Sequence, residues 1–211
     1  AHGMDATFLP KPYRDMAGSG LHIHLSLLDA EGRNVLACDD PATHATLRHA
    51  VAGLLDSMAD GMAICAPGPN SFRRFRSESY VPLTPNWSIN NRGAAVRIPV
   101  SDAANRRIEY RQAGADANPY LAIAASLACG YLGMIEGLKP TEPITGSAYD
   151  LPFALPRSLD EGIRKLRECE PLIRVLGEPF TTAFTIVKQA EYEVFLQVIS
   201  SWEREHLLLN V

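Results

Sequence analysis

The 211-residue chain has no CxxC pair, no membrane-length apolar run and no excess of basic residues, and each absence narrows what it can be. Its four cysteines, Cys38, Cys65, Cys129 and Cys169, stand singly, so neither a zinc ribbon nor a disulfide framework is indicated. They read as reduced, mostly buried thiols. Without a signal-peptide pattern, the expectation is a cytoplasmic protein with no membrane partner. Twenty Lys and Arg against 24 Asp and Glu leave a formal charge of −4, which gives no field for nucleic acid. The local groups Arg73, Arg74, Arg76 and Arg106, Arg107 suit small anions better than a duplex. There is no internal repeat and no low-complexity tract. What is present, 46% hydrophobic and 21% charged residues, suffices for one large core or two small ones. The sequence opens on Ala1 rather than Met, from which a piece of a longer protein is expected.

Along the chain, Phe8 to Pro12 and Ser19 to Leu28 read as strand pieces, and DAEGRN (29–34) supplies a turn after which Val35 to Ala37 return as a hairpin. Asp40 and Pro41 form a cap-plus-proline start for one long amphipathic helix reaching Pro67. Residues 67–93, with their prolines, asparagines and arginines, read as a long functional loop. AAVRIPV (94–100) and RRIEYRQ (106–112) read as two strands. Asn118 and Pro119 open a buried, Ala/Gly-rich helix over Leu121 to Leu138. Residues 139–157 form a proline-rich connector and 158–211 a C-terminal helical segment. Within the latter, Ser158 and Glu161 make a capping box, Gly177 ends a second short helix, and a last helix runs past Trp202.

Two patterns carry chemistry. In GSGLHIHLSLL (18–28), period-two alternation puts His22 and His24 on one strand face and Leu21, Ile23 and Leu25 on the other. The histidine face either meets solvent or ligates a metal or nucleotide. A hydrolase-type metal centre needs further ligands at strand ends, and His44 and His49 fall in a helix instead. In RRIEYR, Arg107, Glu109 and Arg111 share a face. Three charges there either meet water or meet a charged ligand, because burying them alone is costly. A carboxylate between guanidiniums suits a metal-phosphate site, and Arg74, Arg92 and Arg97 on adjoining segments add positive charge for a polyanionic substrate.

GSGLHIHLSL, NSFRRF, NNRGAAVRIP, RRIEYR, ANPYLAIAA and YDLP occur in the order and spacing of the C-terminal catalytic half of the glutamine synthetase family. The chain resembles that family from about Phe8 to Leu209, and especially the branch of γ-glutamylpolyamine and γ-glutamylmethylamide synthetases. The resemblance implies an α+β fold of the glutamine synthetase catalytic type, with a curved antiparallel sheet and helices outside. It implies a ligase that activates glutamate with ATP and Mg²⁺ or Mn²⁺ and passes the γ-glutamyl group to an amine. His22 and Glu109 would ligate one metal; His24, Ser26, Arg97 and Arg107 would hold ATP. Gly18, Arg74, Arg92 and Arg111 would hold glutamate and acyl-phosphate oxygens, with Arg74, Arg92 and Tyr80 at the reacting groups. The family assembles as a dodecamer of two hexameric rings, and the end WEREHLLLNV resembles its ring-locking segment, with an amphipathic end helix packed on its own core as the alternative. The remaining metal ligands and a small N-terminal β-domain would lie upstream of Ala1, so these 211 residues alone are expected to be inactive.

Three positions depart from the ammonium-using members. Counted from Arg74 to Arg92 without gaps, the flap glutamate that takes a proton from ammonium is replaced by Tyr80, although Glu78 stands two residues away. A phenol with a pKa near 10 is a poor base and its ring suits carbon, which favours an alkyl amine. Ala17 stands where asparagine is usual, and Ala104 where a lysine often reaches ATP. The alternatives are an ordinary glutamine synthetase using ammonium and a non-catalytic structural or regulatory relative.

Overall fold

A computed structural model describes residues 2–77 and 79–209. Four short strands form one sheet: β1 (Ile23–Leu25), β2 (Trp87–Ile89), β3 (Val96–Ile98) and β4 (Ile108–Tyr110), in the order β1-β4-β3-β2. β4 pairs antiparallel with both β1 and β3, but β2 runs parallel to β3. The sheet is therefore mixed rather than antiparallel throughout. Asn90, at φ 59°, begins a reversal in residues 90–95 that brings β3 alongside β2 in the same direction.

Alternation along these strands sorts the side chains into two layers. Ile23, Tyr110, Val96 and Trp87 line up across the inner face and are buried. His24, Glu109, Arg97 and Ser88 line up across the outer one. The inner layer packs toward α1 (Ala45–Asp56) and α3 (Pro119–Glu136), which cross closely because Gly53 and Gly133 meet there. A β-carbon at Gly133 would lie 2.5 Å from the Gly53 nitrogen, so neither position has room for a side chain. The short α2 (Met62–Cys65), α4 (Leu159–Glu168) and α5 (Glu170–Leu176) close this core, and α6 (Glu178–Leu196) with α7 (Ser201–His206) lies outside it.

Several elements differ from the sequence expectation for identifiable reasons. The helix foreseen from Asp40 to Pro67 is two helices. Asp40 caps only its own turn, through Ala42 N–H at 2.9 Å, while the His44 imidazole caps α1 through Leu47 N–H at 3.3 Å. Residues 8–12 form no strand, since Pro10 and Pro12 lack donors for a ladder. They are held instead by Ser19 N–H on the Pro10 carbonyl and by Asn70, which bonds both backbone groups of Lys11. The 29–34 turn does form a hairpin, narrowed to one bridge between Leu28 and Asn34. β2 was hidden in the expected loop. The last helix is broken, because Ser200 and Glu203 form a capping box that starts α7 afresh.

α3 is the one described helix long and apolar enough to cross a membrane, yet its inner face is core. It is not buried all round: Tyr120, Ile123, Leu127, Tyr131 and Ile135 are exposed. The 139–157 connector is docked on the sheet edge rather than free. Trp87 Nε1 donates to the Thr141 carbonyl at 2.7 Å, and Ser88 Oγ donates to that of Ile144 at 2.6 Å. The four cysteines are all free; Cys65 and Cys129 are buried, and burial pushes the Cys65 thiol up to about 12. In the C-terminal segment Trp202, Leu207, Leu208 and Leu209 are exposed rather than packed on the core; Asn210 and Val211 lie outside the described residues.

The glycine crossing is the tightest point of the core. Gly133→Val is expected to cost about 3 kcal/mol or more by forcing α1 and α3 apart, read as a lowered denaturation midpoint by far-UV circular dichroism. An unchanged midpoint would show that the helices separate freely.

Candidate functional site

The outer face of the sheet is where the charged residues converge. Its centre is Glu109 on β4, a carboxylate 3% exposed. Arg97 from β3 donates Nη1–H to Glu109 Oε2 at 2.6 Å, and Arg111, one residue beyond β4, donates Nη1–H to Oε1 at 2.6 Å. His22, just before β1, places Nδ1 3.1 Å from Oε1. Burial by itself would raise the Glu109 pKa, but the hydrogen bonds from Arg97 and Arg111 outweigh it and hold the acid below the usual carboxylate range. The His22 pKa is lowered, first by burial and then by the neighbouring Arg111, against the opposing pull of Glu109. A neutral imidazole beside an ionised carboxylate results.

The flanking loops carry the second ring of contacts. Arg97 Nη2 donates to Asn90 Oδ1 at 2.7 Å, and Arg111 Nη2 donates to the carbonyls of Arg92 at 2.6 Å and Tyr80 at 3.3 Å. Tyr80 and Asn90 are the two described non-glycine residues with positive φ, 55° and 59°. For a bulky tyrosine this is strained backbone, and both strained residues border the arginines. Arg107, on the edge of the face, donates Nε–H to His24 Nδ1 at 3.2 Å, which fixes that ring nitrogen as an acceptor.

Arg74 enters from below. The 3₁₀ turn Pro69–Arg74 sends Asn70 to Lys11, Ser71 to Asp116 and Arg74 beneath the Gly18–Gly20 segment. A β-carbon at Gly18 would lie 2.8 Å from the Pro10 oxygen and 3.1 Å from Arg74 Cγ, so glycine is required where backbone covers the arginine. The Gly20 β-position would lie 3.6 Å from Arg74 Nη2 and 3.7 Å from His22 Nε2, so guanidinium and imidazole border the same small space.

Of the residues the sequence singled out, His22, Arg97, Glu109 and Arg111 are joined by side-chain contacts, His24 and Arg107 bond each other alongside, and Gly18 and Arg74 adjoin His22 across Gly20. Arg92 and Tyr80 contribute carbonyls to the cluster while their side chains are exposed. Ser26 is exposed beyond the end of β1, and Glu78 lies outside the described residues. Sequence reasoning missed Asn90, Ser71 and Asp116. Asn90 could have been suspected from its asparagine-rich turn, which favours positive φ; nothing in the sequence links Ser71 to Asp116.

His22 and Glu109 supply an imidazole and a carboxylate suited to a divalent cation, and Glu109 Oε2 keeps a free acceptor position beside Arg97. Among the described residues no group of three or more His, Cys, Asp or Glu could hold a metal, so these two by themselves would not complete a coordination shell. Two guanidiniums, Arg97 and Arg111, hold the Glu109 carboxylate between them, and Arg107 stands beside His24, which leaves positive potential for oxyanions. Removing that carboxylate leaves Arg97 and Arg111 facing each other unscreened. Glu109→Ala is expected to destabilise the fold by about 3 to 5 kcal/mol, measured by urea denaturation. A loss below about 1 kcal/mol would place the pair among surface ion pairs of little consequence.

The family described as "Glutamine synthetase, catalytic domain" matches residues 1–207. γ-Glutamylputrescine synthetase of Escherichia coli is 41% identical over 212 residues, covering 99% of this chain and 44% of that protein. Glutamine synthetase of Thermus thermophilus is 37% identical over 221 residues, covering 98% and 49%. A solved structure of GmaS in complex with ADP superposes with a TM-score of 0.88 at 32% identity, covering 98% of this chain and 50% of that one. The chain thus spans about half the length of the relatives it matches. It belongs to the glutamine synthetase catalytic-domain family.

Proposed function

We propose that the protein containing this chain is an ATP-dependent ligase that joins the γ-carboxylate of glutamate to an amine through γ-glutamyl phosphate. The observation that carries this reading is the row His24, Glu109 and Arg97 across β1, β4 and β3, with Arg107 and Arg111 beside it. The first step brings the γ-phosphoryl of ATP to a carboxylate, two anions that repel. Arg97 and Arg107 would take phosphate oxygens, and Arg74 and Arg111 would hold the carboxylate and the acyl phosphate. Guanidiniums preset in this way screen the repulsion and favour the charge spread over the equatorial oxygens in the transition state. Glu109 holds Arg97 and Arg111 in place by 2.6 Å bonds, so its work includes orientation.

His22 and Glu109 would hold a divalent cation, Mg²⁺ or Mn²⁺. When bound, that cation supplies further charge neutralisation on the transferred group. In the second step the amine nitrogen attacks the γ-carbonyl carbon, the bond to the phosphate oxygen breaks, and phosphate leaves. The proton lost by the amine passes to the departing phosphate or to water. At the flap position the phenol of Tyr80 is exposed and is a weak base, so it would offer ring surface to an alkyl group rather than take a proton from ammonium. The E. coli relative, named for γ-glutamylputrescine, agrees in kind with that choice. The Thermus thermophilus relative keeps ammonium as the second reading.

The remaining ligands would come from the part of the relatives that this chain does not span. We place the protein in the cytoplasm, as a homo-oligomer with stacked rings and the exposed apolar C-terminal segment, Trp202 to Leu209, at a subunit contact. The 211 residues alone are expected to release no phosphate above background from ATP, glutamate, Mg²⁺ and amines. The full-length protein is expected to release it with methylamine, ethanolamine or putrescine in preference to ammonium, measured in parallel. Turnover on ammonium alone would assign an ordinary glutamine synthetase; no turnover on any amine would sink the ligase reading. In the active protein, Tyr80→Glu is expected to raise the ammonium-to-methylamine ratio of kcat/KM by about tenfold or more, because a carboxylate is the better base.

A further inference from the structure

We infer that Asp116, acting through Ser71, is a positioning residue for the Arg74 guanidinium and hence for the carboxylate that Arg74 would hold. The inference rests on the ligase reading above and adds to it two residues outside its set.

Arg74 is 2% exposed, yet its guanidinium makes one hydrogen bond, from Nη2 to the Ala113 carbonyl at 3.3 Å, beside a contact with the Phe75 ring. Its Nε and Nη1 have no partner. A buried guanidinium with two open donors is costly unless a counter-charge stands near. Asp116 is that counter-charge. A β-carbon at Gly114 would fall on Asp116 Oδ1 and lie 2.9 Å from Arg74 Nη1, so both groups flank the same glycine without bonding each other. Asp116 Oδ1 is itself without a partner. Its other oxygen, Oδ2, accepts from Ser71 Oγ–H at 2.5 Å, and Ser71 Oγ in turn accepts from Gly68 N–H at 2.9 Å. Ser71 is fully buried. The carboxylate is pinned on one side and presents its free oxygen on the side where the guanidinium lies.

The arrangement suits a binding arginine better than a direct ion pair would. A bidentate Asp116–Arg74 pair would use the same planar fork that a substrate carboxylate needs. Held one step away, Asp116 offsets the burial that lowers the Arg74 pKa while leaving Nε and Nη1 free. Ser71 and Arg74 sit three residues apart on one turn of 3₁₀ helix, so fixing Ser71 also fixes the base from which Arg74 extends.

The test uses the full-length protein and the variants Asp116→Asn, Ser71→Ala and the double variant. Each is read by phosphate release at varied glutamate, by calorimetric binding of L-glutamate, and by thermal melting. Asp116→Asn is expected to lower kcat/KM for glutamate about tenfold and to weaken glutamate binding, with a lowered melting midpoint as Arg74 loses its counter-charge but the folded transition retained. Ser71→Ala shifts both in the same direction by less, and the double variant is no worse than Asp116→Asn, because the two act as one unit. Kinetics and binding within about twofold of wild type in Asp116→Asn, or losses that multiply in the double variant, overturn the inference. If Asp116→Asn does not fold, Ser71→Ala decides by the same two readouts. A wild type that binds glutamate without turning over overturns the ligase reading alone; one that does not bind glutamate overturns both.

Discussion

The site depends on a single buried carboxylate shared by two guanidiniums. Glu109 sits in the middle strand pair, with Arg97 opposite it on β3 and His24 opposite it on β1. Its two 2.6 Å bonds hold arginines from different segments, and Arg111 then reaches the carbonyls of Arg92 and Tyr80. Desolvating three charges is tolerated only because each has a partner. The cluster still carries more positive than negative charge, and that surplus is what an oxyanion can use.

The core beneath makes this placement possible. The face holding Ile23, Tyr110, Val96 and Trp87 must be buried, and burying it forces the alternate residues outward. A one-residue slip in β4 would send Glu109 into the core and Tyr110 into the site. Tyr110 guards that register, since its hydroxyl bonds Gln112 Oε1 while Gln112 Nε2 donates to the Met58 carbonyl at 2.6 Å. The polar layer and the apolar layer are thus two results of one alternation.

Strain and unpaired groups gather at the same place. Tyr80 and Asn90 hold left-handed backbone beside Arg111 and Arg97, each of which keeps an Nε without a partner, as does the buried Arg74. A protein built only for stability would have little reason to keep buried guanidinium donors unpaired. An anionic ligand would give those donors a use.

Much of this was legible in the residues themselves. Period-two alternation sufficed to put His22 with His24 and Arg107 with Glu109 and Arg111, and the Asn118–Pro119 start located α3. Local signals decide such features, so a linear reading reaches them. The break between α1 and α2, the parallel pairing of β2, and the exposed face of α3 were not legible, because each depends on what packs alongside. The same holds for Asp116, 45 positions from Ser71 in the chain and bonded to it in space. Sequence determined which chemical groups were present and on which faces they could stand. Tertiary structure alone decided which of them share a counter-charge, since an electrostatic partner is chosen by distance through space and not by separation along the backbone.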